Sequence, residues 1–144
     1  MTMNGLTMLV LVLVPAITWM LMRVRDNARD KKPEIIAQNQ AKEVEFSALL
    51  QEGETIHAIC QTYTKWYSAV TERALLTENK AGIHRVAFDQ IQKIKFLGPS
   101  GEKVRTADRV MMIKLEDADG NKYSLYKYSE RFFELAGILM ERAG

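Results

Sequence analysis

The chain has 144 residues, and its 20 Lys plus Arg against 18 Asp plus Glu leave a formal net charge of +2. From Gly53 onward 14 basic residues face 12 acidic ones, which lacks the strong basic excess of a nucleic-acid binder. Cys60 is the single cysteine, so an intramolecular disulfide and a cysteine-based zinc cluster are excluded and a reducing compartment fits.

The first element is the uncharged apolar run 6–22, LTMLVLVLVPAITWMLM, from Leu6 to Met22. At about 1.5 Å rise per residue it makes a helix of roughly 26 Å, just able to span a hydrocarbon core of about 30 Å. Pro15 removes one helical hydrogen bond mid-run, a defect that membrane helices tolerate, and Trp19 suits the interface. A cleaved secretory signal is the competing reading, but no Lys or Arg precedes the run and no small-x-small cleavage site follows it. Next comes RVRDNARDKK, where Arg23, Arg25, Arg29, Lys31 and Lys32 face only Asp26 and Asp30. The positive-inside bias then places the amino terminus outside and the rest in the cytoplasm, as a single-pass protein of the bacterial inner (plasma) membrane. The same cluster attracts anionic lipid headgroups.

These features divide the chain into an anchor (1–24), a basic juxtamembrane segment with a helical stalk (25–52) and one small domain (53–144), too short for two cores. PEIIAQNQAKEVEFSALLQEG is rich in helix formers, with Pro33 at a first helical position and Gly53 past the end, and predicts a helix over 34–51. Its apolar stripe is weak until Phe46, Leu49 and Leu50, so the first half is expected to stand exposed as a spacer or to pack on another chain.

Beyond Gly53 the period switches to alternation, and turn signals recur at short intervals, predicting an antiparallel meander. The strands fall at 55–63, 66–70, 74–78, 83–88, 91–97, 109–116 and 121–128. In the first, Ile56, Ala58 and Cys60 share one face, and His57, Ile59 and Gln61 the other. Turns are supplied by NKAG at 79–82, GPSG at 98–101 and DADG at 117–120. The closing SERFFELAGILMERAG predicts a helix capped by Ser129, with Phe132, Leu135, Ala136 and Leu139 at helical spacing. Gly137 is expected where this helix comes close to the sheet.

No catalytic residue, cofactor or metal is called for. His57 and His84 form no ligand-spaced pair with carboxylates, and His84, on the parity of Val86 and Phe88, needs a hydrogen-bond partner if that face is the core. Asp117 and Asp119 lack the calcium-loop pattern and read as turn residues. Neither a glycine-rich phosphate loop nor a nucleophile elbow occurs. Two binding constellations remain. Lys93 and Lys95 alternate on one strand face and, with Lys103 and Arg105 in the next loop, form a basic rim suited to phosphates, or else a solvated strand face. Trp66, Tyr67, Tyr123, Tyr126 and Tyr128 are aromatics of the types that anchor protein interfaces, about half of them expected in the core.

Three segments resemble bacterial PH-like and GRAM-like domains: LLQEGETI at 49–56 is similar to their opening, AVTERALL at 69–76 to their Thr- and Arg-bearing hairpin, and VAFDQIQKI at 86–94 to their strand-corner-strand signature. Ala74 departs from the Leu usual after the Arg. The resemblance covers residue 49 to the C-terminus and implies the pleckstrin-homology superfold, whose order of seven strands and a terminal helix it shares. An SH3 or OB barrel would leave that helix without a role. The expected fold class is therefore α+β: a transmembrane helix and helical stalk, then a PH-like antiparallel seven-stranded barrel or sandwich capped by a C-terminal helix. The resemblance implies binding to lipid headgroups or proteins, and fold alone does not choose between them. Because an anchor already supplies recruitment, the leading expectation is a non-enzymatic accessory or scaffold subunit that engages an integral membrane protein complex through its span and cytoplasmic domain. An anionic lipid-headgroup sensor and a self-assembling homo-oligomer are the alternatives.

Overall fold

The computed structural model describes residues 32–63 and 65–143, together with Ile17 and Leu21. Helix α1 (Pro33–Ser47) leads into seven strands: β1 (Ile56–Gln61), β2 (Tyr67–Thr71), β3 (Ala74–Asn79), β4 (Gly82–Ala87), β5 (Ile91–Leu97), β6 (Met112–Asp117) and β7 (Lys122–Tyr126). Short 3-10 turns occupy Phe88–Gln90 and Ala107–Arg109, and helix α2 (Arg131–Ala143) follows β7. The strands form two antiparallel sheets, β1-β2-β3-β4 and β5-β6-β7, so the architecture is α+β with a C-terminal helix. The two sheets do not close into a barrel. The expected anchor over 6–22 lies outside the described residues apart from Ile17 and Leu21, which are helical and exposed. Among the described residues no helix is long and apolar enough to cross a membrane.

Local chemistry explains where the elements begin and end. Pro33 opens α1, where its missing N–H costs nothing. The helix stops at Ser47, short of the expected 51, because the chain tightens: the Leu49 and Leu50 N–H groups bond three residues back, to Phe46 and Ser47. Gly53, at φ 77°, then turns the chain toward β1. The sixth strand begins at Met112 and not at 109, because the preceding residues coil into the 3-10 turn and bury Val110.

The main core lies between the sheets. Ala58, Cys60, Val70, Leu75 and Val86 of the first sheet meet Ile113, Leu115 and Leu125 of the second, and α2 seals them with Phe132, Leu135, Ala136 and Leu139. Each large side chain fully buried there contributes about 1.5–3 kcal/mol. Gly137 comes close not to a sheet but to the second 3-10 turn, where an added Cβ would stand 3.4 Å from that of Ala107. The Arg142 guanidinium donates to the Thr71 carbonyl at 2.8 Å and ties α2 to the end of β2.

A second cluster sits on the outer face of the first sheet, where Phe46 of α1 packs on Ile59, Tyr67, Ala69 and Leu76. All five residues of β2 are consequently buried. Lys42 supports this docking by donating to both Glu78 carboxylate oxygens, at 3.0 and 2.9 Å. A bulge between Ile56 and Ala58 corrects the simple alternation expected for β1: Ile56 joins the outer cluster while Ala58 and Cys60 face the main core.

Candidate binding surfaces

Alternation along β5, β6 and β7 sends Ile94, Phe96, Ile113, Leu115, Tyr123 and Leu125 to the core and the intervening residues outward. Register then aligns the outward residues in rows. Lys93, Glu116 and Lys122 form one row, Lys95, Lys114 and Ser124 the next, and Leu97, Met112 and Tyr126 a third. The two basic rows line a shallow groove of about 380 Å³. Lys93 and Lys95 are therefore brought together, as the rim expected from sequence requires, and Lys114 and Lys122 join them. Lys103 lies opposite Leu97 in a short bridge along the free edge of β5, and exposed Arg105 follows two residues later, so both flank the rows and stand outside the groove. Lys114 and Lys122 join the face only through strand register, which residue spacing does not display; the DADG hairpin that pairs β6 with β7 is the sequence signal for them.

The aromatic set divides. Tyr67 is 0% exposed beneath α1, which makes it a core residue and removes it from any surface. Tyr123 is half-buried with its ring 5.7 Å from that of His84, and burial, aided by the charges of Asp117 and Asp119, pushes its hydroxyl pKa up. Tyr128 is also half-buried. Tyr126 is 41% exposed and its ring lies 5.6 Å from that of Tyr63, itself 51% exposed and not singled out from sequence. These rings meet because the Tyr126 N–H donates to the Thr62 carbonyl at 2.9 Å, joining β7 to the end of β1. In the same β1–β2 turn, the half-buried Trp66 ring lies under the Lys65 ammonium at 4.8 Å. Tyr63 and Tyr126 thus form a solvent-facing aromatic end fed by both sheets, with half-buried Trp66 in the same turn as Tyr63.

Two of the segments that carry the resemblance, 49–56 and 69–76, converge elsewhere, together with Arg85 just before the third. The Glu54 carboxylate, with a fully buried side chain, accepts both Arg85 guanidinium N–H groups at 2.7 Å, the Thr71 hydroxyl at 2.7 Å and the Gln51 N–H at 3.0 Å. The Arg85 pair outweighs the opposing effect of burial and, with the other donors, lowers the Glu54 pKa to about 2. The Thr71 hydroxyl oxygen in turn accepts the Arg73 and Ala74 N–H groups, closing the β2–β3 turn. Ala74 pairs with Ala87 and is fully buried, which explains a small residue there. On the adjoining surface, the Thr55 hydroxyl and N–H, with His57, hold the Glu72 carboxyl well below the usual carboxylate range. This end is a structural clamp in which the Glu54, Glu72 and Arg85 charges are all partnered.

The histidines and turn acids are accounted for in the same way. His84 Nε2 meets Asn79 Oδ1 at 2.9 Å, and Asn79 also accepts the Ala81 N–H in the hairpin. Burial acts to raise the Asp117 pKa, but the Asp119 and Asn121 N–H groups outweigh it and lower the value while fixing the β6–β7 turn. Among the described residues no group of three or more His, Cys, Asp or Glu could hold a metal ion.

Fold and surfaces together define a small antiparallel-sheet domain with a C-terminal helix. No protein-family model matches the chain, and no curated protein matches it. Among solved structures it is similar to the C-terminal domain of an unknown protein from Leishmania infantum, at 13% identity over 76% of this chain and 99% of that one, with a TM-score of 0.41.

Proposed function

We propose that the chain is a non-enzymatic scaffold or accessory subunit of a bacterial inner membrane, anchored by the run 6–22, whose PH-like cytoplasmic domain engages an integral membrane protein complex. The order of seven strands and a packed terminal helix supports the PH-like assignment. The observation that carries the binding role is the aromatic end, where Tyr63 and Tyr126 stand half in solvent against each other. Tyr and Trp dominate the energetics of protein interfaces because they bury large area with few rotatable bonds.

The test compares the full-length protein with a Tyr63→Ala/Tyr126→Ala double variant, each expressed in its own host and extracted gently. Interface anchors contribute about 2 kcal/mol or more each, so the variant should retain the integral membrane subunits that travel with wild type at least about tenfold less well, with unchanged circular dichroism. Equal retention by both would remove the aromatic end as the contact.

A further inference from the structure

We propose that the outer face of the β5-β6-β7 sheet docks on the phosphate-bearing surface of an anionic lipid bilayer, a reading that rests on the anchored function above and adds a second, different surface to it. The sheet has one face in the core and the other open, whereas α1 covers the outer face of the first sheet. On the open face Lys93, Lys95, Lys114 and Lys122 project from three adjacent strands, with Glu116 as the one acid among the groove residues. None of these four ammonium groups forms an ion pair among the described residues.

One detail of register is unfavourable to the domain alone. Lys95 lies directly opposite Lys114 across the β5–β6 ladder, and like charges so placed destabilise a sheet. An anionic counter-surface converts that repulsion into attraction. The shape of the site selects the kind of anion: the groove is shallow and its lysines project from three neighbouring strands whose backbones lie about 4.8 Å apart, which suits many mobile phosphates better than one enclosed ligand. The side chains are lysines, whose long stems lie along apolar surface while the ammonium reaches a phosphate. The same face continues into half-buried Leu97 and Met112, an apolar margin suited to the boundary between headgroups and acyl chains. A tether at residue 22 would keep the bilayer at high effective concentration.

The experiment places the full-length chain in nanodiscs of phosphatidylcholine alone or of phosphatidylcholine mixed with phosphatidylglycerol, and follows acetylation of each lysine by peptide mass spectrometry. Lys80, exposed in the β3–β4 turn, is the internal reference. The four face lysines are expected to acetylate about fivefold more slowly in the anionic discs, and this protection should vanish at high salt. A Lys95→Gln/Lys114→Gln variant should melt at a higher temperature in solution and lose most of the protection at Lys93 and Lys122. Equal acetylation in both discs overturns the proposal. So does protection reproduced in phosphatidylcholine discs by soluble pyrophosphate, which would assign the face to a free anion. Protection seen in native membranes but not in anionic discs would assign it to a protein and overturns it too. A chain retained by neither disc fails at the anchored reading and takes this proposal with it, a result distinct from retention with equal acetylation.

Discussion

At the scale of single residues, Glu54 decides more than any other side chain, because a buried carboxylate survives only when its lone pairs are filled. Arg85, Thr71 and Gln51 fill them. Replacing Glu54→Gln leaves the Arg85 charge without its partner and is expected to cost about 3 kcal/mol at neutral pH, measured by urea unfolding. The pKa is depressed, so this contribution is complete above about pH 4.5, the unperturbed value, and is lost as pH falls toward about 2. The stability gap between wild type and the Glu54→Gln variant should therefore narrow through that window; a constant gap would mean that the carboxylate charge is not what stabilises. Thr71→Val keeps the volume but removes the hydroxyl that serves Glu54 and the turn N–H groups, and should cost about 1–3 kcal/mol in the same measurement. Glu54 and Thr71 stand in the sequence within the segments that resemble PH-like domains, whereas Arg85 precedes the third of them and carries no signal of its own. Their mutual contact is not legible there, because 17 positions separate Glu54 from Thr71 and 31 separate it from Arg85.

At the scale of elements, periodicity located all seven strands to within a few residues, because alternation reports which face of a strand meets a core. It missed the β1 bulge, since one extra residue shifts parity without leaving a compositional mark. Residue type groups Tyr67 with the interface aromatics, whereas α1 covers it; an aromatic on a strand buried on both faces looks the same in sequence as one on an exposed face. The weak apolar stripe of α1 agrees with what is seen, as Ile36 and Val44 are exposed while Phe46 is 0% exposed. That one ring holds much of the helix, so Phe46→Ala should destabilise by about 3–5 kcal/mol and increase proteolysis of the α1 segment before the sheets unfold. Gly137→Ala tests the packing of α2. The new methyl meets Ala107 at ordinary contact distance, and the gain in helix propensity should raise stability by about 1 kcal/mol in thermal unfolding.

At the scale of the whole molecule, the two sheets have different outer surfaces. One is closed by α1 and the other presents lysine rows that run into an aromatic end. Sequence parity alone could place Lys93 and Lys95 on one face, but Lys114, Lys122 and the Tyr63–Tyr126 pair depend on register and on the meeting of β1 with β7. The proposed role assigns these regions different tasks: the span to the bilayer interior, the lysine rows to its surface, and the aromatic end to an integral partner. The native mass of the full-length protein after gentle extraction from its own host, with identification of the chains that accompany it, decides whether the chain is an accessory subunit. An accessory subunit is expected in an assembly larger than the chain itself that contains other integral membrane subunits. Recovery as a lone monomer, or as a homo-oligomer free of other subunits, would contradict that role.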